Sequence, residues 1–185
     1  MQEITDEIIA KAAEGDSDAF EHIFKAYFGF VSHVVLRVVN RREDAEDITQ
    51  EVFMTIYRNL KDFRFEANLK TWIYRIAVNS AINYSRKMSR HSQTVDYGDV
   101  RGLRIPGADV RQTLDAELNE KNIKSLLNAL NPDQRACIVL KSFENLSYSE
   151  ISEVLKIPIN TVRSRIKRAR EVMIALRKEV TKNEL

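Results

Sequence analysis

The chain has 185 residues, 44% of them hydrophobic, with only five Gly and three Pro. This length and composition suit one medium or two small helical domains, disfavour turn-rich sheets, and predict an all-α fold. The net charge of +2 indicates no particular partner, and the single cysteine, Cys137, excludes an intramolecular disulfide.

The amino-terminal segment and the lone cysteine bear on the compartment. The first twenty residues are acidic and contain no apolar stretch long enough for a signal peptide or a membrane span. Cys137 lies in an apolar run, which is typical of a buried core thiol and fits a reducing environment. We therefore expect a cytoplasmic protein without membrane insertion.

The first apolar region has helical periodicity. Its positions are Phe20, Ile23, Phe24, Tyr27, Phe28 and Val31, and residues 34–39 continue the pattern. We interpret this region as two antiparallel helices. An acidic segment follows, since residues 41–51 carry a local net charge of −3.

The next predicted helix covers residues 43–60 and is amphipathic. Its apolar side consists of Ile48, Val52, Phe53, Ile56 and Leu60. The opposite side presents Asp47, Gln50, Glu51, Met54 and Arg58. Because the first set is sufficient to fill a core, the second is free to bind a partner.

A further helix is predicted over residues 71–86, with Ile73, Ala77, Ala81 and Tyr84 facing inward. At 100° per residue, one outer stripe contains Trp72, Arg75, Asn79, Asn83 and Arg86. An aromatic ring, amides and guanidinium groups suit unstacked bases and phosphates, and residues 61–90 carry a net charge of +5. The alternative is a solvated helix face with a half-buried Trp.

Helical periodicity stops over residues 94–111, where Gly98, Gly102, Pro106 and Gly107 occur among polar residues. Such a stretch is unusual inside one compact domain. We therefore predict a domain over residues 1–92, a linker over 93–113 and a second domain over 114–185.

The carboxy-terminal region has clear helix starts. Asn131 with Pro132 and Gln134 is typical of an N-cap, and Ser147 with Glu150 forms a capping box. A turn near Lys156 leads to a long helix, with Asn160 or Thr161 as its expected N-cap. Its inward side is predicted to contain Val162, Ile166, Ala169, Met173 and Leu176. A short helix, a tight turn and a basic helix form a helix-turn-helix pattern.

The outward side of that last helix presents Arg163, Ser164, Lys167 and Glu171, with Arg168 at its edge. Residues 156–178 carry a net charge of +7. Arg and Lys donate to guanine edges or phosphates, so these side chains suit a major groove. The alternative is a basic helix that is merely solvated.

Two blocks of sequence resemble the extracytoplasmic-function (ECF) sigma factors. Residues 44–60 and 70–87, DAEDITQEVFMTIYRNL and KTWIYRIAVNSAINYSRK, are similar to region 2 of that family. Residues 130–134, 146–151 and 157–170, LNPDQ, LSYSEI and IPINTVRSRIKRAR, are similar to region 4. The resemblance therefore covers nearly the whole chain, with both motifs in the family's order.

The resemblance implies partners for each surface. Core RNA polymerase would bind the outer side of the acidic helix, Asp47, Gln50, Glu51, Met54 and Arg58. The single-stranded minus-10 element would contact Phe63, Arg64, Asn68, Lys70, Trp72, Arg75, Asn79, Asn83 and Arg86. The duplex minus-35 element would contact Thr161, Arg163, Ser164, Lys167 and Arg168. Family members also often bind an anti-sigma factor.

Two positions depart from many relatives, which have Gly where this chain has Lys156 and Asn160. Asn tolerates left-handed backbone geometry, whereas Lys156 would be strained at a positive φ.

Two other classes of function have weaker support in the sequence. A helix-turn-helix regulator outside the polymerase would need a sensing domain, but the first block lacks the β/α alternation of a receiver domain. An enzyme is disfavoured because His22, His33 and His91 lack metal-ligand spacing and no Gly-rich phosphate loop occurs. We expect no catalytic residues, no metal and no cofactor.

Overall fold

The computed structural model describes residues 4–65, 67–91 and 120–183, and within these ranges every regular element is helical. The all-α prediction is confirmed. The predicted linker, residues 93–113, lies outside the described residues.

The amino-terminal part begins with two capped helices. Helix α1 covers Asp6–Ala13, and helix α2 covers Ser17–Val39 after Asp16, whose carboxylate accepts hydrogen bonds from two N–H groups of the first turn. Helix α2 ends at Asn40, which has a left-handed φ of 61°. The prediction of two antiparallel helices in this region was wrong: the apolar spacing continues through Gly29, and the turn comes only at Asn40.

Two further helices complete this bundle. Helix α3 covers Arg42–Asn59 and runs into a 3₁₀ turn at Leu60–Asp62, and helix α4 covers Leu69–His91. The inward residues predicted for α3 are all buried, as are Ile73, Ala77 and Ala81 of α4. The bundle therefore presents the opposite sides of α3 and α4 outward.

The carboxy-terminal part contains a helix α5 over residues 120–128, then α6 at Pro132–Ser142, α7 at Tyr148–Leu155 and α8 at Ile159–Asn183. Both predicted capping boxes are present at Asn131 and Ser147. Lys156 has a positive φ of 50°, so the strain expected for a non-glycine residue in that geometry applies to it. Asn160 lies inside the first turn of α8 and is not its N-cap, because the helix begins one residue earlier, directly after Pro158.

The two parts pack against each other in the described residues. Helix α2 contacts α6, and helix α4 contacts both α6 and α7. The guanidinium of buried Arg135 donates from Nη1 to the carbonyl oxygens of Val38 at 3.0 Å and Val39 at 3.4 Å. These carbonyls end α2 and have no partner within the helix, so α6 completes the cap of α2.

Helix α2 also has an unusual composition. Among the described residues it is the one helix whose length and hydropathy would suit a membrane span. In the fold it is the central helix of the bundle, with buried positions at Ala19, Ile23, Val31, Val34, Val35, Val38 and Val39. A core helix has this composition for packing reasons alone.

Candidate functional site

The outer side of α3 is an acidic surface with one apolar side chain. All five residues predicted on it, Asp47, Gln50, Glu51, Met54 and Arg58, are exposed. Met54 is 51% exposed, which is high for a large apolar side chain and favours contact with another protein. The surface therefore suits a basic protein partner with an apolar contact at its centre.

An aromatic cluster lies between α3 and α4. The ring of Phe63 is 4.9 Å from that of Phe65 and 5.4 Å from that of Trp72, centroid to centroid. Phe65 is 51% exposed and has a left-handed φ of 56°, which is uncommon for a bulky residue. An exposed ring that packs against Phe63, which itself packs against Trp72, offers a platform on which a base can stack.

Asn68 has a local structural role beside this cluster. Its side-chain oxygen accepts a hydrogen bond from the N–H of Lys70 at 2.8 Å, at the start of α4. Arg64 and Lys70 are exposed and add positive charge next to the rings. Of the predicted minus-10 residues in this loop, Phe63 contacts Trp72, and Arg64, Asn68 and Lys70 are exposed.

The stripe on α4 is divided between exposed and engaged side chains. Asn79 and Asn83 are exposed, as a base-reading face requires. Arg75 is half-buried and donates to the carbonyl oxygen of Glu153 at 3.2 Å. Arg86 donates to both carboxylate oxygens of Asp133 at 2.8 Å. Two of the five stripe residues are therefore bound by the carboxy-terminal part.

Helix α8 presents a basic outer side. Arg163, Ser164, Lys167 and Arg168 are exposed, and Thr161 is half-buried. The guanidinium of Arg163 donates to the side-chain oxygen of Asn160 at 3.2 Å. The inner side is anchored by Val162, Ile166 and Ala169, which are fully or almost fully buried. The predicted groove-reading side chains thus share one accessible face.

Helix α7 and its turn fix the direction of α8. The hydroxyl of Ser152 donates to the carbonyl oxygen of Ile157 at 2.6 Å, which closes the turn around Lys156. The N–H of Ser147 is bound by the Glu150 carboxylate at 2.7 Å, and the hydrogen bonds with Ser147 lower the pKa of that carboxyl. This is the geometry of a helix-turn-helix.

Burial and neighbouring groups raise the pKa values of three side chains in these elements. Burial, and then a hydrogen bond to Glu144, raises the pKa of the Tyr74 hydroxyl. Burial and Asp44 raise the pKa of Tyr84 to about 12. Burial raises the pKa of the Cys137 thiol to about 11, so it stays protonated near neutral pH. No group of three or more metal-ligating side chains occurs in the described ranges.

Sequence reasoning missed the residues that join the two parts. No sequence pattern singled out Asp133, Arg135 or Arg165, yet Asp133 binds Arg86 and Arg165, and Arg135 caps α2. Their partners are far away in sequence, so no local pattern indicates them. Phe65 lay in the loop expected to contact DNA, but only its positive φ and exposure single it out.

Comparison with known proteins finds a matching family model for each of the two parts of the chain. The family model of Sigma-70 region 2 matches residues 23–91, and that of Sigma-70, region 4 matches residues 120–173. The chain is 34% identical over 181 residues to the ECF RNA polymerase sigma-E factor of Haemophilus influenzae, covering 93% of this chain and 95% of that relative. The chain belongs to the ECF sigma factors.

Other relatives of this ECF sigma factor show the same coverage. It is 33% identical to the RNA polymerase sigma-H factor of Pseudomonas aeruginosa, over 93% of either chain. It is 34% identical to the ECF RNA polymerase sigma-E factor of Escherichia coli K12, over 93% of this chain and 94% of that one. The protein is thus an alternative sigma factor that directs RNA polymerase, with the core enzyme and promoter DNA as its partners. The alternative function, a helix-turn-helix regulator that does not act as a polymerase subunit, is not favoured.

Solved structures of sigma factors share the fold of this ECF sigma factor. CnrH, in complex with the cytosolic domain of CnrY, matches with a TM-score of 0.67 and 24% identity, over 96% of this chain and 99% of that chain. RpoE from Bartonella quintana, in complex with the anti-sigma factor NepR, matches with a TM-score of 0.66 and 23% identity, over 86% of this chain and 96% of that chain. The arrangement of helices is therefore the one found in other sigma factors.

Proposed function

We propose that three exposed faces of different chemistry divide the work of initiation in this sigma factor. The acidic face of α3 binds core polymerase, the aromatic cluster with the α4 stripe captures the non-template strand of the minus-10 element, and α8 reads the minus-35 duplex. The observation that carries the proposal is that these faces lie on separate helices and are accessible at Met54, Phe65 and Lys167. Two domains, residues 1–92 and 114–185, carry them, joined by residues 93–113.

Docking on polymerase is assigned to Asp47, Gln50, Glu51, Met54 and Arg58. The carboxylates attract a basic surface over long range, and the exposed thioether of Met54 supplies apolar contact once the surfaces meet. Such a surface accelerates association and depends on salt.

Strand capture is assigned to Phe63, Arg64, Asn68, Lys70, Trp72, Arg75, Asn79, Asn83 and Arg86. Stacking of a base on an aromatic ring contributes about 1–3 kcal/mol, which offsets the cost of unpairing and unstacking. Exposed Asn79 and Asn83 offer amides to base edges, while the cations neutralise phosphates. Melting is therefore driven by binding of the separated strand.

Upstream recognition is assigned to Thr161, Arg163, Ser164, Lys167 and Arg168. Arg and Lys donate to guanine edges or phosphates, and the buried inner side of α8 keeps these side chains pointing outward together. The turn at Lys156 sets the angle at which α8 enters the groove.

The chain itself makes and breaks no bond, needs no metal or cofactor, and works in the bacterial cytoplasm. An anti-sigma factor is a further proposed partner, because RpoE, which shares the fold, was solved in complex with the anti-sigma factor NepR.

The division of labour is tested by separating the binding steps. The double charge reversal Asp47→Lys with Glu51→Lys is expected to abolish binding to purified core polymerase and to leave binding to duplex DNA intact. The matched control is Glu21→Lys, which reverses an exposed acid on α2 away from the proposed face.

A result in which the control weakens polymerase binding as much as the α3 variant would contradict the assignment. Equal loss of duplex binding in the α3 variant would contradict the separation of roles between α3 and α8.

A further inference from the structure

Asp133, in the first turn of α6, holds two cationic side chains from different parts of the chain. Both of its carboxylate oxygens accept from Arg86 Nη2 of α4 at 2.8 Å, and Oδ1 lies 3.0 Å from Arg165 Nη1 of α8. The Asp133 side chain is 24% exposed and that of Arg165 is 26% exposed. One carboxylate therefore joins the strand-capturing helix to the groove-reading helix.

A second contact engages the same stripe of α4 as Arg86, since Arg75 donates to the carbonyl oxygen of Glu153 at 3.2 Å. On another side of α4, the hydroxyl of buried Tyr74 donates to Glu144 at 2.8 Å. Both acceptors belong to the carboxy-terminal part. Asn79 and Asn83 remain exposed between these contacts.

The chemistry of the Asp133 contact is that of a phosphate contact. Guanidinium groups bind carboxylates and phosphates with the same fork of donors, so Arg86 cannot bind Asp133 and a DNA phosphate with the same Nη2 donor at once. Closure of the two parts and capture of a strand by α4 therefore compete for Arg86, and closure also occupies Arg75.

We propose that Asp133 is the latch of a closed state, refractory to a single strand, in which the carboxy-terminal part engages Arg75 and Arg86 on the strand-capturing side of α4. The competition between closure and strand binding for Arg86 rests on the proposed role of α4 in strand capture. The contacts of Asp133 with Arg86 and Arg165 do not depend on that role. Binding of a single strand opens the latch by linkage, and opening in turn strengthens strand binding.

The ion pair between Arg86 and Asp133 is exposed enough to be sensitive to salt. Arg86 remains 46% exposed while paired, so salt screens this contact more than a buried one. The closed state is therefore expected to weaken as ionic strength rises, which a purely apolar interface would not do.

The test uses the full chain with a donor and an acceptor dye on exposed positions of the two parts, Lys25→Cys on α2 and Ala175→Cys on α8. Cys137 is buried and stays unlabelled. Asp133→Asn is expected to lower energy transfer. It is also expected to tighten binding of a fluorescein-labelled single-stranded DNA of randomised sequence about tenfold, equivalent to roughly 1.4 kcal/mol.

Two further variants separate the latch from general charge effects. Glu120→Gln removes one acid from an exposed side chain of the same part and should change neither the energy transfer nor the strand binding. Arg165→Gln changes the charge in the opposite direction but breaks the same triad, so it should lower energy transfer as Asp133→Asn does.

The outcomes distinguish the two proposals. Unchanged energy transfer in both triad variants overturns the latch. Lower transfer without tighter strand binding in Asp133→Asn overturns the competition. If no variant binds the single strand, the assignment of strand capture to α4 fails. The change in energy transfer still shows whether Asp133 holds the two parts together.

Discussion

Phe65 combines an exposed ring with a left-handed backbone, φ 56°, that costs a residue with a Cβ roughly 1–2 kcal/mol. Strain of this kind persists where the surrounding structure holds it, and it is concentrated at functional sites. At Phe65 the strained backbone places a ring against Phe63, which in turn contacts Trp72.

Replacing Phe65 separates the strain from the ring. We expect Phe65→Gly to be more stable to urea than Phe65→Ala by about 1 kcal/mol, because only Gly relieves the strain. Both variants should lose strand separation, measured by permanganate reactivity in the polymerase complex. Equal stability of the two variants, or normal melting by either, would contradict the role given to Phe65.

Tyr84 provides a prediction on pH. Its pKa is raised to about 12 in the folded chain by burial and Asp44, so the unfolded chain ionises first. The contribution of Tyr84 to stability is therefore present below the ordinary tyrosine pKa of about 10 and is lost as the pH rises through the raised pKa.

Urea unfolding at about pH 8 and about pH 11 measures this loss. Tyr84→Phe should show a smaller decline in stability than the unchanged chain, and Tyr57→Phe, at an exposed position, should decline like the unchanged chain. A decline that is the same in all three proteins would refute the attribution to Tyr84.

At the scale of elements, the helix caps of the carboxy-terminal part carry measurable free energy. The Ser147 hydroxyl accepts from the N–H of Glu150 at 3.2 Å, within a reciprocal capping box. Ser147→Ala should lower the free energy of unfolding by about 1 kcal/mol. Ser164→Ala is the comparison, since its hydroxyl bonds only to Thr161 O inside a helix and its loss should cost much less. Equal costs would argue against the cap.

Helix α8 yields a prediction on salt dependence. If Arg163 and Lys167 each neutralise one phosphate, Arg163→Ala and Lys167→Ala should each reduce the slope of log K against log salt for duplex binding by about 0.9. Glu171→Gln, next to Lys167 on the same face, should leave the slope unchanged. Fluorescence anisotropy over a salt series measures these slopes. Unchanged slopes in both cation variants would contradict a phosphate-facing α8.

Several elements could be predicted from sequence because their signals are local. Capping residues and apolar spacing define α6 and α7, and the amphipathic pattern of α3 separates Ile48, Val52 and Ile56 from its exposed side. The pattern failed in α2, where continuous apolar spacing was divided into two helices. Phe24 and Phe28 extend beyond the core there and remain 37% and 45% exposed, with ring centroids 5.1 Å apart and ring planes tilted by 37°.

At the scale of the whole molecule, the packing of the two parts could not be predicted. Arg86 and Asp133 are 47 positions apart, and Arg135 and Val38 are 97 apart. Such pairs have no periodicity or spacing to detect, so the sequence indicated the faces of α4 and α8 but not that Asp133 joins them.

We propose that this ECF sigma factor gives polymerase its promoter specificity through α3, α4 and α8. The decisive experiment is run-off transcription from fragmented bacterial DNA by purified core polymerase, with and without the protein. We expect new discrete transcripts that share upstream sequence and disappear with Arg163→Ala and Lys167→Ala combined. Absence of new transcripts from a protein that still binds duplex DNA would contradict this proposal.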